Sequence, residues 1–189
     1  MYQVLIDNIE PTDDDLQLIN AYTRNVVDEN DVCLVSAMLC DNDVDRDGER
    51  FTIESLYELE KLLVGKAEVM DYKRHRSERA RIISCNVVKS DKQKTALGDD
   101  YAGLIAKIYI PFCRNNEDII VAALKGDIKD VNIHCAVEQY ACSVCGKEYS
   151  ECSHKKSEVY DSKLCCCEFV NPYKVYDWSF VLSSNDRKE

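Results

Sequence analysis

Cys142 and Cys145 stand two residues apart with Gly146 behind them, and Cys152 and His154 follow as a second close pair. A Cys-x-x-Cys knuckle puts two thiolates on one tight turn, which Gly146 permits. The Cys-x-His pair adds two donors, and the four together make a soft to borderline tetrahedral set suited to zinc. All four positions come from protein, which describes a structural ion; a catalytic zinc keeps one position open for water. The competing reading is a set of side chains without a metal. Cys165, Cys166 and Cys167 complicate the set. One of them could replace His154 or hold a second ion. On a strand Cys165 and Cys167 would share a face and Cys166 would point away, so the three cannot all turn to one ion. Burial as small apolar side chains is the simpler reading of these three.

An acidic loop offers a second metal pattern. Asp43, Asp45, Asp47, Gly48 and Glu54 fall at the spacing of a calcium-binding EF-hand loop, with Glu54 in the twelfth position. An EF-hand requires a helix before the loop, and here an apolar strand-like run precedes it. Arg50 also replaces the usual apolar residue at the eighth position. The plainer reading is a turn and helix start whose aspartates cap backbone N–H groups. The chain has three histidines: His154 in the knuckle, His75 in a basic run from Lys73 to Arg76, and His134 within an apolar strand pattern.

Elements that would position these groups follow from periodicity and capping. Thr12 or Asp13 caps a helix with an acidic first turn, and Leu16, Leu18, Ile19, Tyr22 and Val26 are spaced for one apolar face. Residues 32–40 read as a buried strand. Thr52 caps a second helix over 53–64, with Ile53, Leu56, Leu59 and Leu63 inward and Gly65 at its end. Residues 81–89 and 101–112 read as strands joined by a polar hairpin loop. A helix over 117–124 is capped by Asn115 or Asn116 and stopped by Gly126. Strands follow at 131–137 and 176–182, with the cysteine-rich module at 139–168 between them. Helices and strands mix without a regular βαβ rhythm, so the expected class is α+β or a partly open barrel. The expected organisation is one domain over 1–189 with the zinc knuckle inserted at 139–168.

Bulk properties narrow the function. The 189 residues carry a net charge of −11, which repels phosphate backbones and anionic membrane surfaces. Within the knuckle, Lys147, Lys155 and Lys156 are balanced by Glu148, Glu151 and Glu158, so a nucleic-acid adaptor would lack a basic face. No run approaches the ~20 apolar residues of a membrane span. Residues 1–15 lack the basic end and apolar run of a signal peptide. A cytoplasmic setting is therefore expected, with the eleven cysteines reduced or metal-bound rather than paired.

Several stretches taken together resemble one family. LCDNDVDRDGERFT at 39–52, LLVGKAEVMDY at 62–72, ARI at 80–82, GDIKDVNIHCAV at 126–137, the two knuckle pairs and YDWSFV at 176–181 occur in this order. They are similar to the prohead (capsid maturation) serine proteases of phages and prophages from Gram-positive bacteria. The resemblance runs from about Val4 to Val181. It implies a herpesvirus-assemblin type of fold, a β-barrel flanked by helices, and an enzyme that cleaves scaffold and capsid proteins during head assembly. Herpesvirus-type proteases dimerise, so a homo-oligomer is compatible with the resemblance.

The catalytic positions depart from that family. Its members carry Asp-His after the glycine-led segment, where this chain has Asp71 and Tyr72. They carry a nucleophilic serine in a Val-Ser-Ile/Val strand, where this chain has Val131, Asn132 and Ile133. An asparagine amide has no ionisable nucleophile, and a phenol with a pKa near 10 is a weak base at neutral pH. The expectation is a catalytically inactive member, a structural or interaction protein of the virus head, assembled in the host bacterial cytoplasm beside capsid, scaffold or portal subunits. His75 and His134 are the residues that could rescue a hydrolytic site, with a serine such as Ser179 or Ser36 supplied from elsewhere.

Overall fold

The run from Val32 to Cys40 is apolar at nearly every position, which suits a strand covered on both faces. The computed structural model, which describes residues 6–68 and 79–182, shows that arrangement. In chain order the elements are β1 (Ile6–Ile9), α1 (Asp13–Asn20), β2 (Val32–Asp41), β3 (Glu49–Phe51), α2 (Ile53–Leu63), β4 (Arg81–Lys94) and β5 (Asp100–Pro111). They continue as α3 (Glu117–Lys125), β6 (Ile128–Cys142), β7 (Val159–Tyr160), β8 (Lys163–Leu164) and β9 (Cys167–Leu182). The protein is thus α+β, with strands dominating. Val32 and Leu34 of β2 pack with Ile19 of α1 on one face, while Cys33, Val35, Ala37 and Leu39 enter the main core on the other.

Sheet pairing corrects the barrel expectation. One antiparallel sheet has the order β1-β2-β5-β4; a second has the order β3-β9-β6; β7 and β8 form a separate hairpin. Among the described residues these sheets do not close into a barrel, because no ladder joins the first to the second. They share a core instead. Leu56, Leu59 and Leu63 of α2, Ile119 and Ala123 of α3, and Val131, Val175, Trp178 and Phe180 of β6 and β9 all enter it. Trp178 is fully buried, and its indole N–H donates to Lys66 O at 3.1 Å, which satisfies the polar end of the largest core side chain.

Local signals set several boundaries. Thr12 and Asp15 form a reciprocal capping box at the start of α1, and Thr52 caps α2 by accepting from Ser55 N at 3.2 Å. Helix α1 is shorter than its apolar spacing suggests. Asn20 accepts from Val27 N at 2.8 Å and donates to Val27 O at 3.1 Å, pinning a loop where the helix would have continued and leaving Val26 90% exposed. Asn116 occupies the cap position of α3 without capping it. Its amide donates to Pro111 O and Arg79 O instead. Strands β6 and β9 extend well beyond the expected 131–137 and 176–182, since each continues into the knuckle as the partner of the other.

Two buried carboxyl groups respond to pH in opposite directions. Burial opposes the charge of Asp15, but Lys107 Nζ at 2.7 and 2.8 Å and Thr12 outweigh it, so this carboxyl titrates below its ordinary value. A depressed folded pKa gives stabilisation that is complete above the unfolded value and lost as pH falls through the folded one. Asp15→Asn should therefore lower stability at pH 7 by about 1–2 kcal/mol, the worth of charge-assisted bonds to a part-exposed lysine. The deficit should shrink below about pH 4, measured as urea midpoints at both pH values. Burial pushes Glu68 the other way; Phe180 N donates to its Oε1 at 3.3 Å, and its Oε2 has no hydrogen-bond partner among the described residues. A raised folded pKa gives a contribution present below the unfolded value and lost as pH rises through the folded one. The stability difference between Glu68→Gln and the unmodified protein should move in favour of glutamine as pH rises from about 5 to 8. A pH-independent difference would contradict this assignment.

Candidate metal centre

Strand β6 delivers the first ligand. Its last residue, Cys142, is fully buried, and the chain then turns back on itself. Gly146 N donates to Cys142 O at 2.8 Å, and Cys142 N donates to Lys147 O at 2.9 Å. Gly146 has φ +70° with open space where a Cβ would stand, so backbone conformation rather than room calls for glycine there. A short 3-10 turn at Tyr149–Glu151 then brings up Cys152 and His154. The His154 ring lies edge-on to Tyr160, with centroids 4.4 Å apart.

The four expected donors converge. The sulfur atoms of Cys142, Cys145 and Cys152 and a ring nitrogen of His154 all lie within 4.8 Å of one another. Cys142 Sγ and His154 Nδ1 are 3.5 Å apart. A tetrahedral ion with bonds of about 2.3 Å to sulfur and about 2.0–2.1 Å to nitrogen requires an S···N edge of about 3.6 Å. That edge matches, and the donor set is close enough to hold one metal ion. Burial opposes ionisation of Cys142, but the backbone N–H groups of Cys145 and Val144 and the neighbouring Cys145 and Cys152 thiols outweigh it and bring its thiol down to about 6. At neutral pH Cys142 is thus available as the thiolate that a metal requires.

The module is braced from within and fastened to the acidic loop. Ser143 Oγ donates to Leu164 O and accepts from Cys166 N. Cys167 N donates to Gly48 O at 2.9 Å, and Lys156 pairs with Glu49 at 2.5 Å. A Cβ on Gly48 would come within 2.8 Å of Lys156 Cβ, so the acidic loop and the knuckle meet at a distance only glycine allows. Arg50 then bridges Glu168 at 2.5 Å and Asp99 at 2.7 Å, linking β3, β9 and the β4–β5 hairpin.

The chain matches no family model, no curated protein and no solved structure.

The other candidate residues fall out separately. The acidic loop does not gather into a second centre: among the described residues, the knuckle is the one group of three or more His, Cys and carboxylate side chains close enough to share an ion. Its carboxylates take up backbone N–H groups, as the turn reading expects. Asp45 Oδ1 accepts from Asp47 N and Glu49 N, and Asp43 Oδ1 accepts from Val44 N and Ala96 N. Asn132 is exposed in mid-β6, opposite Ser179 of β9. His134 lies on the same face of β6 and pairs through Nδ1 with Asp177 Oδ1 at 2.6 Å. Tyr72 and His75 lie outside the described residues. Ser36 lies in β2, paired with Asp7 and Lys107 and far along the other sheet. The Asp177 partner of His134 was not legible in the sequence, because cross-strand register is set by bulges such as the shift between His134 and Cys135.

If one ion holds this module, stripping it with a chelator from metal-loaded protein should release the loop and leave the distant sheet intact. Amide exchange should rise for 142–167, tenfold for each ~1.4 kcal/mol of local stability lost. The amides of β2 and β5 should keep their protection. Unchanged exchange in the loop after chelation would show that no ion holds it.

Proposed function

We propose that this protein is a catalytically inactive relative of the prohead proteases that serves as a structural and interaction protein of a phage head, with zinc holding its knuckle. The observation that carries the reading is Asn132: the β6 position where the resembled family places its nucleophile is exposed and holds an amide. An amide cannot be activated by a neighbouring base in the way a hydroxyl can. The geometry of three cysteines and one histidine supports a zinc ion with a structural role, since four protein donors leave no position for a reacting water. An assemblin-like arrangement belongs to the same proposal. Two sheets that share one core with α2 and α3 support it. The partners would be capsid, scaffold or portal subunits, and the protein would persist in the particle; an acidic chain would dock on a basic partner face.

A second reading, an active serine endopeptidase that cleaves scaffold and capsid proteins during head maturation, is favoured by one contact. His134 is held by Asp177 through Nδ1, the orientation in which a carboxylate presents an imidazole as a base. Ser179 stands two residues from Asp177 and opposite Asn132.

One set of measurements separates the two. The inactive reading expects no labelling by a fluorophosphonate serine-hydrolase probe, no cleavage of phage scaffold protein, about one zinc per chain, and uncleaved protein in purified heads by mass spectrometry. Probe labelling at Ser179 that disappears in His134→Ala would reject it in favour of the peptidase.

A further inference from the structure

Of the three adjacent cysteines, the fold singles out one. Cys166 lies beside Ser143 and Arg50, and Cys167 lies beside Lys156 and Glu49. Cys165 turns to the centre. It is completely buried, and its Sγ lies 3.9 Å from Cys142 Sγ. Two thiolates on one tetrahedral ion, with bonds of about 2.3 Å, are separated by about 3.8 Å. This one spacing is compatible with two ligands of the same ion, while the group of mutually close donors is Cys142, Cys145, Cys152 and His154.

The route of the chain explains how a fifth donor arrives. His154 leads into the loop that carries the β7–β8 hairpin, and Cys165 leaves it. Ser157 N donates to Cys165 O and Cys165 N donates to Glu158 O, both at 2.8 Å, so the loop is closed at its neck. Asp161 and Ser162 at its tip both have positive φ, the geometry of a tight hairpin turn. The neck thus brings both an imidazole and a thiol close to Cys142. The imidazole is part-exposed and the thiol is enclosed.

We infer that Cys165 is a reserve fifth donor of the centre, able to take the coordination position of His154 and convert a set of three thiolates and an imidazole into an all-thiolate set for a soft, thiophilic divalent ion. This rests on the metal reading of the knuckle. In the exchange the metal–nitrogen bond to His154 breaks, a metal–sulfur bond to Cys165 forms, and the thiol proton passes to solvent. Four thiolates suit a softer ion than three thiolates and an imidazole do, so cadmium favours the all-sulfur form more than zinc does.

X-ray absorption of the full chain loaded with cadmium under reducing conditions counts the sulfur neighbours. Four sulfurs are expected in the unmodified protein, and three sulfurs with one nitrogen in Cys165→Ser. His154→Ala should keep its ion, with four sulfurs for cadmium and zinc alike. The His154→Ala/Cys165→Ser double variant should lose tight binding. Three sulfurs in the unmodified cadmium form, or three sulfurs or loss of the ion in His154→Ala, overturn the role of Cys165 and leave the centre of Cys142, Cys145, Cys152 and His154 standing. Failure of the unmodified protein to bind either ion overturns both. The unmodified cadmium measurement needs no substitution, so a variant that fails to fold does not remove the test.

Discussion

The antiparallel ladder between β6 and β9 joins the two halves of the molecule. It runs from Ile128 opposite Leu182 to Cys142 opposite Cys167. At one end its inward residues, Val131, Val175, Trp178 and Phe180, enter the common core. At the other end β6 presents Cys142 to the knuckle, and β9 begins at Cys167, directly after Cys165 and Cys166. Side chains alternate along a strand, so a slip of one residue would turn core residues outward and move Cys142 away from its partners. The register shifts along the ladder let the ribbon bend while the two ends keep their separate facing requirements.

The knuckle extends this constraint to the acidic loop. Gly48 O receives Cys167 N, Glu49 receives Lys156, and Arg50 joins Glu168 to Asp99. Strand β3 is only three residues long and pairs in parallel with β9 alone, so these contacts define its position. From β3 the chain passes directly into α2, whose Ser55 hydroxyl donates to Phe169 O at 2.7 Å. An ordered centre therefore supports the start of a core helix through a short chain of named contacts.

Environment sorts the cysteines into different chemistries. Burial raises the thiols of Cys33, Cys40, Cys85 and Cys135, with Cys85 at about 12, which keeps them protonated and inert within the packed interior. Cys142 is brought down, because the turn that begins at it aims backbone N–H groups at its sulfur. Cys165 is pushed up to about 12, first by burial and then by its neighbour Cys142, so it stays a thiol at neutral pH. The same residue type thus serves as core filler, as a member of the candidate metal cluster and as a buried thiol beside that cluster.

What could be read from the sequence is what short segments decide by themselves. The knuckle pairs bring their donors together through a single turn, the caps at Thr12 and Thr52 act over three residues, and the apolar run of β2 declares its own burial. The turn character of the acidic loop was legible for the same reason. The extra length of β6 and β9, the early end of α1 at Asn20, the pairing of His134 with Asp177, and the turning of Cys165 rather than its two neighbours toward Cys142 were not. Each of these depends on a partner from a distant part of the chain or on a loop that doubles back. Local periodicity carries no information about which strand will lie alongside, or with what register, so tertiary packing decided them.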